Sequence, residues 1–154
     1  MISGNQILDS DKSAQKEAEL NEEGILPHLN LLSSRILFDG HYYQRALESL
    51  CLMKPSEMNA AVSLEYHYRK GRILHELREY EEAIKSYQQA IEEGEESTRY
   101  FPGKAALMLG ELEENKGNYE AAILAYEKCL ELDFSEYRRG IRAKAKAGLQ
   151  RLKK

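Results

Sequence analysis

Two stretches of the chain place apolar residues at matching intervals. In YEEAIKSYQQAI (residues 80–91), Tyr80, Ala83, Ile84, Tyr87, Ala90 and Ile91 fall three or four residues apart, which lines one face of an α-helix. In NYEAAILAYEKCL (residues 118–130), Tyr119, Ala122, Tyr126 and Cys129 repeat Tyr80, Ala83, Tyr87 and Ala90 at a distance of 39 residues. A weaker copy lies 37 residues upstream in YYQRALESLCLM (residues 42–53), as Tyr43, Ala46 and Leu50. A period in the thirties predicts an array of helical repeats.

Each copy has a further helical stretch before it. These are LPHLNLLSSRILF (26–38), SLEYHYRKGRILHEL (63–77) and PGKAALMLGELEENK (102–116). Pro27 and Pro102 stand at the expected helix starts, where the missing N–H had no partner. Gly117 stands at an expected end. Gly71 and Gly110 lie inside their helices, 39 residues apart, where glycine costs about 1 kcal/mol against alanine. Their recurrence points to a packing demand. The 12-residue spacing to Ala83 and Ala122 suggests small residues facing each other across the pair.

On these residues the chain resembles the tetratricopeptide repeat family. The shared pattern is Gly71, Glu79-Tyr80, Ala83, Tyr87 and Ala90 in one copy, and Gly110, Gly117-Asn118-Tyr119, Ala122, Tyr126 and Cys129 in the next. The first copy has Ser34, Tyr42-Tyr43, Ala46, Leu50 and Met53. Asn30, His67 and Ala106 replace the family's early aromatic, Lys70 a leucine and Glu113 an aromatic. Glu95 and Phe134 replace the closing proline. The resemblance implies an all-α, right-handed solenoid of about three helix pairs with a C-terminal capping helix. The expected units are residues 25–58, 59–97 and 98–134. Residues 1–24 form an N-terminal helix, either a cap or part of a further repeat, and residues 135–154 the closing helix.

In that closing segment Tyr137, Ile141, Ala145, Leu149 and Leu152 make one apolar stripe, with Ser135 as the expected cap. The segment carries eight Lys or Arg and one Glu, in a chain whose net charge is −4. A basic amphipathic helix can meet an anionic membrane or nucleic acid. The simpler reading is that the bases solvate the outer face of a cap, because no aromatic residues interleave with them as a stacking platform.

Composition adds limits. With 154 residues, 42% of them hydrophobic and 31% charged, the chain is an ordinary globular domain. No apolar run approaches the roughly 20 residues of a membrane span. The start, MISGNQILDSDK, lacks the basic-then-apolar layout of a signal peptide. If Met1 is the native start, the expected compartment is the cytoplasm. His67 and His75, eight residues apart, lack helical metal-ligand spacing, and no phosphate loop or nucleophile motif occurs. No enzyme activity, cofactor or metal is expected. Cys51 and Cys129 are separated by a whole repeat, and Cys129 stands where a small apolar residue belongs.

The resemblance further implies that the first helices line a concave groove for an extended peptide or partner helix. Carried over by position, the groove holds His28, Leu31, Arg35 and Phe38 from the first copy. Tyr68, Arg69, Arg72, His75 and Glu76 come from the second, and Lys104, Leu107, Met108, Glu111 and Glu114 from the third. Arg35 and Arg72 are equivalent, and arginine grips carboxylates bidentately. The subfamily clamp for C-terminal carboxylates is not reproduced: Leu31 replaces its first lysine, and Arg35 and Arg72 its asparagines. The expected function is a protein-interaction scaffold for a protein or peptide, with no small-molecule substrate. The alternative is a structural or oligomerising segment of a larger repeat protein.

Overall fold

The computed structural model describes residues 28–154. The expected N-terminal helix and the helix start at Pro27 lie outside these residues. Among the described residues there are seven α-helices and no strand. They are α1 (Leu29–Asp39), α2 (Tyr43–Cys51), α3 (Ala60–Glu76), α4 (Tyr80–Glu93), α5 (Phe101–Asn115), α6 (Tyr119–Glu131) and α7 (Arg138–Leu152), with a short 3₁₀ turn at Pro55–Glu57.

The helix starts follow local chemistry. Asn59 caps α3 by accepting the Val62 N–H at 2.9 Å. Pro102 occupies the first turn of α5. Inside each pair, the turn between helices is built the same way. His41, Arg78 and Gly117 are register equivalents, and all three take positive φ (65°, 63° and 84°). The next N–H then reaches back to a carbonyl five residues upstream: Tyr42 to Leu37, Glu79 to Leu74 and Asn118 to Glu113, at 2.8–2.9 Å. This is the Schellman termination, in which a left-handed residue satisfies the last carbonyls of the helix. Only the third copy supplies glycine at this position.

The internal glycines do face a small gap, but the group across it is not the alanine. A Cβ on Gly71 would meet the Tyr87 ring, and one on Gly110 the Tyr126 ring, at 2.6 and 2.5 Å. The spacing of 12 residues suggested Ala83 and Ala122. Those alanines are wholly buried nearby, but the close approach is filled by the large ring one turn further along. Gly148 of α7 lies against the opposite side of Tyr126, 2.5 Å by the same measure. Spaced 38 residues after Gly110, it gives α7 the register of a first helix. The tyrosines that begin α4 and α6, Tyr80 and Tyr119, are exposed instead, because each lies at its helix end.

First helices also pack on first helices: α1 on α3, α3 on α5 and α5 on α7. Among the described residues, second helices have no such mutual contacts. An array tightly packed along one row and splayed along the other must curve, with α1, α3, α5 and α7 on its inner side. Apolar residues such as Ala106, Leu107, Tyr126, Phe134 and Ile141 fill the space between α5, α6 and α7.

Ser135 does not cap α7. Tyr137, at φ 54°, is the residue before the helix, and no side chain caps it. Ser135 instead donates its backbone N–H to the Thr98 carbonyl at 3.1 Å. The adjacent ion pair of Arg99 and Glu136, at 2.6 Å, ties the same two loops. The left-handed Tyr137 turns the chain into α7 only after this tie is made.

Candidate functional site

A cavity of about 590 Å³ opens on the inner side of the array. Arg35 and Phe38 reach it from α1, Tyr68, Arg69 and Arg72 from α3, and Lys104 from α5. These six were expected in the groove from their register. Tyr100, Tyr137 and Lys144 also line it and were not expected.

The cavity wall is aromatic. Tyr100 stacks edge-on against Tyr68 and against Tyr137, with ring centres 5.8 and 5.1 Å apart. Tyr100 lies just before α5 and Tyr137 just before α7, so the two inter-pair loops close one side of the cavity. Burial pushes the Tyr100 hydroxyl well above its ordinary value, so it stays protonated and can donate or accept hydrogen bonds.

Arg72 is held in place by its neighbours. Its guanidinium lies over the Phe38 ring at 5.0 Å and near the Tyr68 ring at 6.0 Å. Nη1 donates to the Tyr68 hydroxyl at 2.9 Å. Its buried Nε faces no acceptor among the described residues. Arg69 is different: Nε meets the Glu65 carboxylate at 2.6 Å, and the guanidinium lies 5.8 Å from the Phe101 ring centre. Its charge is therefore already matched. Burial, with Arg72 and Lys144 close by, holds the Lys104 ammonium below its ordinary value. Asp39 is the one carboxylate among the residues lining the cavity.

Other expected groove positions lie elsewhere. Leu31 is 3% exposed and belongs to the core between the first two helix pairs, as Leu107 belongs to the next core. The inner helices pack on each other along this line, which buries it. His28 caps α1, its Nδ1 accepting the Asn30 N–H at 3.1 Å, and its Nε2 stands 3.4 Å from Glu57. His75 turns toward α4, with Nδ1 3.0 Å from the Tyr87 hydroxyl. Met108 packs half-buried against the core around Tyr87 and Leu109.

Glu114 is the register equivalent of His75 and plays the same part. It accepts the Tyr126 hydroxyl at 2.6 Å, and Arg151 of α7 grips it through Nε and Nη2 at 2.9 and 3.0 Å. Two further basic side chains of the closing segment also have partners. Arg142 donates to the Leu130 carbonyl, and Lys153 pairs with Glu127 at 2.6 Å.

The sequence did contain a signal for Lys144. The spacing from Gly110 to Gly148 marks α7 as one more inner helix, so its charged residues can point inward as well as out.

Cys129 is buried, and burial pushes its thiol up to about 11, so it acts as an apolar side chain. Among the described residues, no group of three His, Cys, Asp or Glu could hold a metal ion. None of the described helices is long and apolar enough to cross a membrane.

A family model for the tetratricopeptide repeat matches residues 41–98 and again residues 68–137. No curated protein and no solved structure matches the chain. The two family matches overlap and together run from 41 to 137, over the helix pairs that carry the repeated Gly, Ala and Tyr positions. The chain belongs to the tetratricopeptide repeat family, whose members are generally protein–protein interaction modules and typically non-enzymatic scaffolds.

Proposed function

We propose that the chain is a scaffold that holds an acidic, extended segment of a partner protein in the cavity on its inner side. The observation that carries this reading is the composition of the cavity. Phe38, Tyr68, Tyr100 and Tyr137 provide rigid apolar walls, and Arg35, Arg72, Lys104 and Lys144 bring four cations against one lining carboxylate, Asp39. Aromatic and arginine side chains are the residues that most often dominate binding energy at protein interfaces. An acidic segment gains steering and charge-assisted hydrogen bonds there.

The test is selection from a displayed peptide library on the immobilised chain, followed by calorimetry with the enriched peptides. The expected result is enrichment of Asp- and Glu-containing sequences whose binding weakens with rising salt. Enrichment of neutral or basic sequences, or salt-independent binding, would sink the reading.

A second reading, self-association through the α1–α2 end, is favoured by exposed apolar side chains there. Leu29 is 77% exposed, Leu52 73% and Ile36 59%. Light scattering decides it: a monomer at high micromolar concentration ends this alternative.

A further inference from the structure

We propose that Arg72, Lys104 and Lys144 form a subsite for a phosphate monoester, supplied by a phosphorylated serine or threonine of the bound segment. This rests on the reading of the cavity as a peptide groove and adds what chemistry the peptide carries.

The three cations come from three inner helices, α3, α5 and α7, and line one cavity. Other basic side chains around them are matched by acids: Arg69 by Glu65, Arg99 by Glu136 and Arg151 by Glu114. These three are not. Among the described residues Lys104 and Lys144 have no ion pair, and the hydrogen-bond partner of Arg72 is the uncharged Tyr68 hydroxyl. The buried Nε of Arg72 has no acceptor. Burial first, then Arg72 and Lys144, depress the Lys104 pKa and outweigh the opposing pull of Glu111, as expected where like charges gather. The arrangement is also stiff at its centre, because Phe38 and Tyr68 hold the Arg72 guanidinium between them.

A carboxylate offsets one of three positive charges. A phosphate monoester brings about −1.5 to −2 at neutral pH and three acceptor oxygens. Three separate donors suit those oxygens better than a planar carboxylate.

The experiment is an NMR titration of the full chain with O-phospho-L-serine, succinate and L-serine. Phosphoserine is expected to shift the signals of residues 72, 104 and 144 saturably, with succinate at least fivefold weaker and serine silent. Affinity should rise from pH 5.5 to 7.5, because the second phosphate ionisation lies near pH 6. Lys104→Gln and Lys144→Gln should each weaken phosphoserine binding at least fivefold while circular dichroism stays unchanged. Lys144 is exposed, so its replacement leaves the core intact. Succinate binding as tightly as phosphoserine would overturn the phosphate subsite and leave an acidic-peptide groove standing. So would unchanged phosphoserine binding in both lysine variants. Failure of the selected acidic peptides to bind is a separate result, and would remove the groove reading itself.

Discussion

The backbone of Gly71 lies against the ring of Tyr87, so close that an added Cβ would stand 2.6 Å from Cδ1. Replacing the glycine by alanine raises helix propensity by about 1 kcal/mol. It also forces a methyl group into a closed contact with a wholly buried ring, and overpacking of this kind costs about 1–3 kcal/mol. Gly71→Ala is therefore expected to destabilise the chain, by up to about 2 kcal/mol net. The double variant Gly71→Ala, Tyr87→Leu should recover part of the loss. The first copy already holds the corresponding pair, Ser34 with Leu50, both buried. Urea unfolding of the three proteins checks this, and an unchanged or raised midpoint for Gly71→Ala would refute it.

Arg78 sits in the left-handed region at φ 63°, exposed, at the place where the third copy has Gly117. A non-glycine residue there costs about 1–2 kcal/mol, and glycine adds about 0.5–1 kcal/mol of unfolded-chain entropy. Arg78→Gly should stabilise by about 0.5–1 kcal/mol. The check is the thermal midpoint, which should rise by a few degrees.

The array should weaken on mild acidification. Burial holds the His75 imidazole below its ordinary value, with Arg72 adding to the effect and Glu76 and Glu111 opposing it. Burial lowers His67 in the same direction, against the pull of Glu93. A histidine in the unfolded chain takes its proton near pH 6.5. The folded ones take theirs at lower pH, so in between the unfolded state binds more protons. Stability then falls as pH drops below about 6.5. His75→Gln keeps an acceptor for Tyr87 and removes one titrating group, so the slope of unfolding free energy between pH 7.5 and 5.5 should shrink. An identical slope would remove His75 from this account.

Arg72 should carry more of the peptide affinity than its charge alone explains. For an acidic peptide selected on the chain, Arg72→Ala is expected to cost about 1.5–3 kcal/mol, or about ten- to a hundredfold. Arg72→Lys should recover little, because an ammonium cannot lie flat on Phe38 and Tyr68 as the guanidinium does. Arg35→Ala should also weaken binding. Affinities within twofold of the parent for all three would place binding outside the cavity.

The helix pairs and their period were legible because each depends on local spacing. Tyr87 and Tyr126 recur with Ala83 and Ala122, and their helices lie where the apolar positions predict. What escaped was geometry between elements. The recurrence of Gly71 and Gly110 marks a site of close approach, but only the crossing of α3 and α4 selects Tyr87 over Ala83 as the group above Gly71. Ser135 carries the chemistry of a helix cap, yet the tie to Thr98 and the left-handed Tyr137 move the start of α7 past it. Register brought Arg35, Arg72 and Lys104 to one cavity because they lie on repeated helices. Tyr100 and Tyr137 lie in loops outside the repeat pattern, and only the packed array brings their rings together.

Arg72 touches aromatic rings from two different helix pairs, Phe38 of the first and Tyr68 of the second. Whatever draws the guanidinium toward the cavity must therefore loosen its hold on one ring or pull both inward. An anion that shifted the guanidinium would therefore be felt at the Phe38 contact, which joins the first helix pair to the second.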